Sequence, residues 1–183
     1  DFGFDEMRAR AKEIRTANIR NLPELLDELV ERVTANGGTV IRAADRNAAA
    51  EYIVALARST GTTVVAKSKS MATEEIKLNE ALEEAGVRVV ETDLGEYIVQ
   101  LRHERPAHIV TPAVHLRRQE VGKLFHEKLG IPYTEDIPTL TDTARQILRE
   151  VFLTADVGFS GVNFGVAETG TLCIVTNEGN GRM

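Results

Sequence analysis

Three stretches of the sequence carry side chains suited to chemistry. The first, Ala66-Lys67-Ser68-Lys69-Ser70-Met71, places two ammonium groups and two hydroxyls directly after a β-prone run and before a helical one. Free backbone N–H groups at such a junction, with cations beside them, suit an anion. The glycines and the Gly-Lys-Ser/Thr order of a nucleotide-phosphate loop are missing, and a solvated basic turn with serine caps accounts for the same residues. The second stretch is Thr92-Asp93-Leu94-Gly95-Glu96. Asp93 either accepts hydrogen bonds from ligand hydroxyls, as acidic groups do at this place in dinucleotide folds, or simply caps the next helix. The third runs from Ser160 to Thr171 and includes Asn163, Glu168, Thr169 and Gly170. Glu168 lies between two apolar strand runs. It is either exposed at a tight Glu-Thr-Gly turn, with Gly170 supplying a positive φ, or buried with a raised pKa and a catalytic task.

Metal chemistry finds little support. Cys173 is the one cysteine, whereas a cubane iron–sulfur cluster takes four thiolates. His103, His108, His115 and His126 lack the spacing that sets a pair on one metal, so no metal ligands are assigned. A formal net charge of −6, no Trp and 5% aromatic residues argue against a surface that neutralises phosphates and stacks bases. No stretch reaches the roughly 18 to 20 uninterrupted apolar residues of a membrane span. The opening Asp1-Phe2-Gly3-Phe4-Asp5 lacks the basic-then-apolar layout of a signal peptide. The expectation is a cytoplasmic protein without nucleic acid or membrane span.

The elements that must position these residues follow from pattern. A charged helix over about 5–18 and an amphipathic one from Leu22-Pro23 to the Gly37-Gly38 stop form an N-terminal helical segment, residues 1–38. From residue 39 to 183 strands and helices alternate: Thr39-Val40-Ile41, a helix over 45–58 capped by Asp45, Thr62–Ala66, a helix over 73–85, Val87–Val90, His108-Ile109-Val110, and helices over 120–129 and 141–153. Near-continuous apolar strands between helices imply an open, doubly wound, mostly parallel sheet covered on both faces. Strands near Val40, Val65, Val89 and Val110 are expected to share it. The last runs, Val157–Ser160, Asn163–Ala167 and Thr171–Thr176, are too closely spaced for crossover helices and read as a C-terminal β-meander. Asn177–Arg182 is polar, and the sequence reads as truncated at Met183.

Several long strings add a family resemblance that covers essentially the whole chain. Lys67–Met71, Glu91–Glu96, Ala155-Asp156-Val157-Gly158, and Val166–Thr171 followed by Thr176–Arg182 resemble the LUD domain of the lactate utilization protein B family. The resemblance implies a superfold similar to that of ribose-5-phosphate isomerase and the CoA transferases. It also implies a cytoplasmic system that oxidises L-lactate to pyruvate, with other subunits of that system as partners. This chain would be the LUD domain of the electron-transferring iron–sulfur subunit. The [4Fe–4S] clusters are expected in a C-terminal domain absent from this chain, with no cofactor in the segment itself.

A competing reading is a group-transfer or isomerase-type enzyme with Glu168 as nucleophile or base, since some CoA transferases use a glutamate. A metabolite-binding sensor module is a third. In all of them Lys67, Ser68, Lys69, Ser70 and Asp93 are expected to share one cleft with Ser160, Asn163, Glu168, Thr169 and Gly170, suited to a small carboxylate or phosphate-bearing ligand. Cys173 is expected to be buried, and Lys67 to be a loop residue whose loss leaves stability unchanged.

Overall fold

The structure, a computed structural model, describes residues 3–108, 110–176 and 179–182. It divides into two compact units. One comprises the chain up to Arg42 together with Val162–Ile174; the other comprises Ala43–Gly161 and the residues from Val175 on.

The first unit contains helices α1 (Phe4–Arg20) and α2 (Leu22–Ala35) and a two-stranded antiparallel ribbon, β4 (Phe164–Val166) with β5 (Thr171–Cys173). Pro23 stands in the first turn of α2, where its missing N–H leaves no bond unmade. The ribbon lies close on α2: a Cβ at Gly165 would meet Leu29, and one at Gly170 would meet the backbone of Arg32 and Val33. Gly170 also sits at φ +70°, so the turn needs glycine twice over. Asn36 Nδ2 donates to the Thr169 carbonyl at 2.9 Å and ties the end of α2 to that turn.

The second unit is built on a parallel sheet of order β2-β1-β3: β1 Val64–Lys67, β2 Arg88–Glu91 and β3 Val157–Phe159. Alternate residues of each strand face opposite ways, and both faces are covered. Val65 and Val89 pack with Ala57 of α3 (Arg46–Thr60) and with Leu78 and Leu82 of α5 (Leu78–Glu84). Ala66 and Val90 pack on the other face with Tyr97 of α6 (Leu94–Arg102) and with Leu148 and Val151 of α8 (Ile137–Thr154). Two-sided burial is why the strands read as unbroken apolar runs. Beyond them α7 (Arg118–Leu129) brings Leu124 and Phe125 against Ile98 of α6 and Leu140 and Ala144 of α8. The open α/β architecture is therefore as the pattern implies, although three of the expected strands are placed differently. Among the described residues no helix is long and apolar enough to cross a membrane.

Residues 39–41 form no strand, and Ile41 is exposed. Of His108-Ile109-Val110, Ile109 lies outside the described residues, while His108 and Val110 form bends. The His108 ring Nδ1 faces the Val110 N–H at 3.1 Å, and Val110 is 70% exposed. Pro106 and Pro112 flank this segment and remove backbone donors that a ladder would need. The third strand is Val157–Phe159, which leaves the expected meander to join β1 in parallel, with α6, α7 and α8 in the crossover from β2. Its start is fixed by Asp156, whose carboxylate accepts from Thr63 N (2.8 Å), Thr63 Oγ1 (2.9 Å) and Val64 N (3.0 Å). Those donors hold its pKa below the usual carboxylate range. The expected helix over 73–85 is two: α4 (Met71–Glu75), capped by Ser70 rather than Thr73, and α5, separated at Lys77 with φ +54°.

Gly122 of α7 passes so close to the Thr134 carbonyl that a Cβ would overlap its oxygen. Gly122→Ala is expected to lower stability by about 1 to 3 kcal/mol despite alanine's better helix propensity, because backbone must shift. Urea denaturation of both proteins checks it.

Candidate functional site

The site grows from the last residues of two neighbouring strands. Lys67 and Glu91 are register partners at the carboxyl ends of β1 and β2, where open parallel sheets place their ligands. Their side chains meet inside the protein: Lys67 Nζ donates to Glu91 Oε1 at 2.6 Å, with Lys67 1% and Glu91 4% exposed. Asn79 Nδ2, from α5, donates to the same oxygen at 2.7 Å. Because β2 is an edge strand, its outer backbone groups need another partner. Gln100 of α6 supplies it, accepting from Glu91 N (3.0 Å) and donating to the Val89 carbonyl (2.9 Å). Thr92 closes the other side, donating through N (2.9 Å) and Oγ1 (3.0 Å) to the Lys67 carbonyl.

A cleft of about 460 Å³ opens beside this pair, with Glu74, Asn79, Glu91, Glu96 and Gln100 in its wall. Glu75, Glu80, Glu83 and Glu104 also border it, with Lys77 and Arg105, so acidic groups outnumber basic ones around it. Glu96 is 4% exposed, and burial, reinforced by Glu74 and Glu91, pushes its pKa up to about 7. Glu74 is raised as well, chiefly by burial. Lys69 stands over the group, with Nζ 4.0 Å from Glu96 Oε1 and donating to the Val110 carbonyl at 3.0 Å. Glu91 Oε2 and Asn79 Oδ1 are buried acceptors without a hydrogen-bond partner among the described residues. A carboxyl group near half-ionisation at neutral pH can give or take a proton, and unmatched acceptors suit N–H or O–H donors. An anion does not suit this cleft.

The structure brings Lys67, Ser68, Lys69, Ser70, Asp93 and Ser160 into the second unit, near the carboxyl ends of the sheet. Ser68 Oγ lies 3.0 Å from Ser160 Oγ, and Ser68 N donates to the Phe159 carbonyl at 2.8 Å. Ser70 and Asp93 act as helix caps, accepting from Thr73 N (3.4 Å) and Glu96 N (3.1 Å). Asn163, Glu168, Thr169 and Gly170 belong to the first unit, in and around its ribbon, where Glu168 is exposed in the turn. Lys67 is no loop cation: it is the last strand residue, and Glu91 already neutralises it. Cys173 is exposed rather than buried, as are its strand neighbours Thr171 and Leu172.

Glu74, Asn79, Glu91 and Gln100 escaped the sequence reading, which included Glu96 in a candidate stretch without giving it a role. The signal available was a charge closing each of two apolar runs, Lys67 after Val64-Val65-Ala66 and Glu91 after Val89-Val90. Iron–sulfur chemistry does not fit these side chains. Cys173 is alone, and among the described residues no three His, Cys, Asp or Glu side chains are grouped to hold a metal ion.

A family model described as the LUD domain matches residues 26–183. Similar proteins include the uncharacterized electron transport protein YkgF of Escherichia coli (strain K12), 47% identical over 180 residues. The lactate utilization protein B of Macrococcus caseolyticus (strain JCSC5402) is 50% identical over 181; both alignments cover 98% of this chain and 38% of the relative. That of Bacillus pumilus (strain SAFR-032) is 47% identical over 178 residues, with 97% and 38% covered. The chain thus spans 38% of the length of these relatives. No solved structure matches it.

Two outcomes are expected from the cleft. Lys67→Ala strands the Glu91 carboxylate in the interior and should cost about 3 to 5 kcal/mol in urea denaturation, whereas Lys67→Met with Glu91→Leu should recover most of the loss. For Glu96 the folded pKa of about 7 exceeds the ordinary 4.5, so its contribution to stability is fully present below pH 4.5 and is lost as pH rises through about 7. Glu96→Gln should therefore match the parent near pH 4.5 and exceed it above pH 8 by roughly 2 to 3 kcal/mol, read from denaturation curves at both pH values.

Proposed function

The chain belongs to the LUD domain family, and we propose that it works as the LUD domain of a lactate utilization subunit of the B type. In that role it serves the oxidation of L-lactate to pyruvate together with other subunits. The observation that carries this reading is 46 to 50% identity, along 97 to 98% of the chain, to proteins named lactate utilization protein B. The electron-transfer part of the proposal leans on the name of the YkgF relative, an electron transport protein. [4Fe–4S] clusters, if the whole subunit carries them, need thiolates other than the one in this chain.

Oxidising a 2-hydroxy acid to a 2-oxo acid releases two electrons and two protons. The Glu96 cleft supports a proton-handling part in that balance, since burial pushes the pKa of its carboxyl up to about 7. Its surrounding carboxylates oppose an anionic substrate, so the proposal assigns lactate binding to partner subunits rather than to this cleft.

The test is a chimera in which this chain replaces the matching segment of the Bacillus pumilus protein, expressed in a deletion strain of that bacterium selected for loss of growth on L-lactate. Growth on L-lactate is the expected result. A chimera that accumulates as folded protein and leaves the strain unable to grow on L-lactate would overturn the proposal.

A further inference from the structure

A second cleft of the same unit, about 560 Å³, carries the opposite charge to the Glu96 cleft. It is bounded by Thr92, just past the carboxyl end of β2, by one face of α8, and by Arg182. On α8, Arg145 and Arg149 stand one turn apart, as do Leu148 and Phe152, so a cationic stripe runs beside an apolar one. Among the described residues no carboxylate lines this cleft. Arg145 has only Asp142 at 3.7 Å on the exposed helix surface, and neither Arg149 nor Arg182 has a carboxylate partner among the described residues. In a chain of net charge −6, a cleft lined by three arginines, of which only Arg145 has a carboxylate partner among the described residues, suits an anion.

We propose that this cleft binds a phosphate-bearing organic ligand of about mononucleotide size. Volume and charge together select the class. A cavity of about 560 Å³ lies in the usual range for small-molecule sites, while a three-carbon acid would fill a small part of it. One guanidinium satisfies one carboxylate in a bidentate fork; three match the oxygens and double charge of a phosphate. Leu148 and half-exposed Phe152 offer the rest of the ligand an apolar wall, and Thr92 and Asn180 add polar groups. The site lies beyond a strand carboxyl end, next to the start of α6, where this class of fold takes its ligands. The inference goes beyond the lactate-utilization reading and does not depend on it.

Titration calorimetry on the full chain tests it with four probes: AMP, inorganic pyrophosphate, adenosine and L-lactate. AMP is expected to bind, pyrophosphate to compete with it, and adenosine and L-lactate to bind at least about tenfold more weakly. Arg149→Gln and Arg182→Gln, both exposed positions, should keep the parent melting temperature and each weaken AMP about tenfold or more, with binding falling as salt rises. Three results would overturn the proposal: no binding of AMP or pyrophosphate at millimolar concentration, unchanged AMP affinity in the doubly substituted protein, or L-lactate binding as tightly as AMP with the same arginine dependence.

Discussion

The ends of β1 and β2 are locked together by one buried ion pair, and most of what lies around the site depends on it. Lys67 and Glu91 occupy equivalent places on adjacent parallel strands, so their side chains leave the sheet on the same side and meet without bending the backbone. Taking both charges out of water is expensive, and the pair tolerates it because a second donor, Asn79, shares the carboxylate. The loops that follow, Ser68–Ser70 on one strand and Thr92–Asp93 on the other, start from points fixed by that pair. The Glu91 charge is also one of the reasons why Glu96 holds its proton so far above the ordinary range.

A modest net charge conceals a strong local separation. Helix α6 contributes to two clefts, through Leu94 to the one bordered by Arg145, Arg149 and Arg182, and through Glu96 and Gln100 to the one crowded with glutamates. Charges of one sign gathered in low-dielectric concavities act over several ångströms, whereas the same charges dispersed on the surface are screened by salt. The unit thus presents a glutamate-lined cleft and an arginine-lined cleft from one scaffold.

Much of the scaffold was legible. The apolar runs around Val65 and Val89, the Asp45 and Asp93 caps, and the helix-ending glycines are local signals, and local physics settles them. The runs at Val40 and Val110 looked alike, but a strand exists only where another chain segment accepts its ladder, and composition does not reveal which segments find one another. Val157–Phe159 found β1; residues 39–41 did not, nor did His108 and Val110. The same limit hid the site. Lys67 reads as a loop cation if the strand ends at Ala66 and as half of a buried pair if it ends one residue later, and only the register with Glu91 decides. Glu168, conspicuous in sequence because glycines surround it, is an exposed turn residue.

The first unit is assembled from segments far apart in the chain, residues up to Arg42 and Val162–Ile174. Bringing them together closes a loop of roughly 120 residues, at an entropic cost on the order of 4 kcal/mol if that loop is still unstructured. During synthesis, then, α1 and α2 emerge long before the ribbon that packs on α2. Phe4, Ile14, Ile19 and Leu26 stay exposed even with the ribbon in place, so these helices carry apolar surface open to association both before and after it packs.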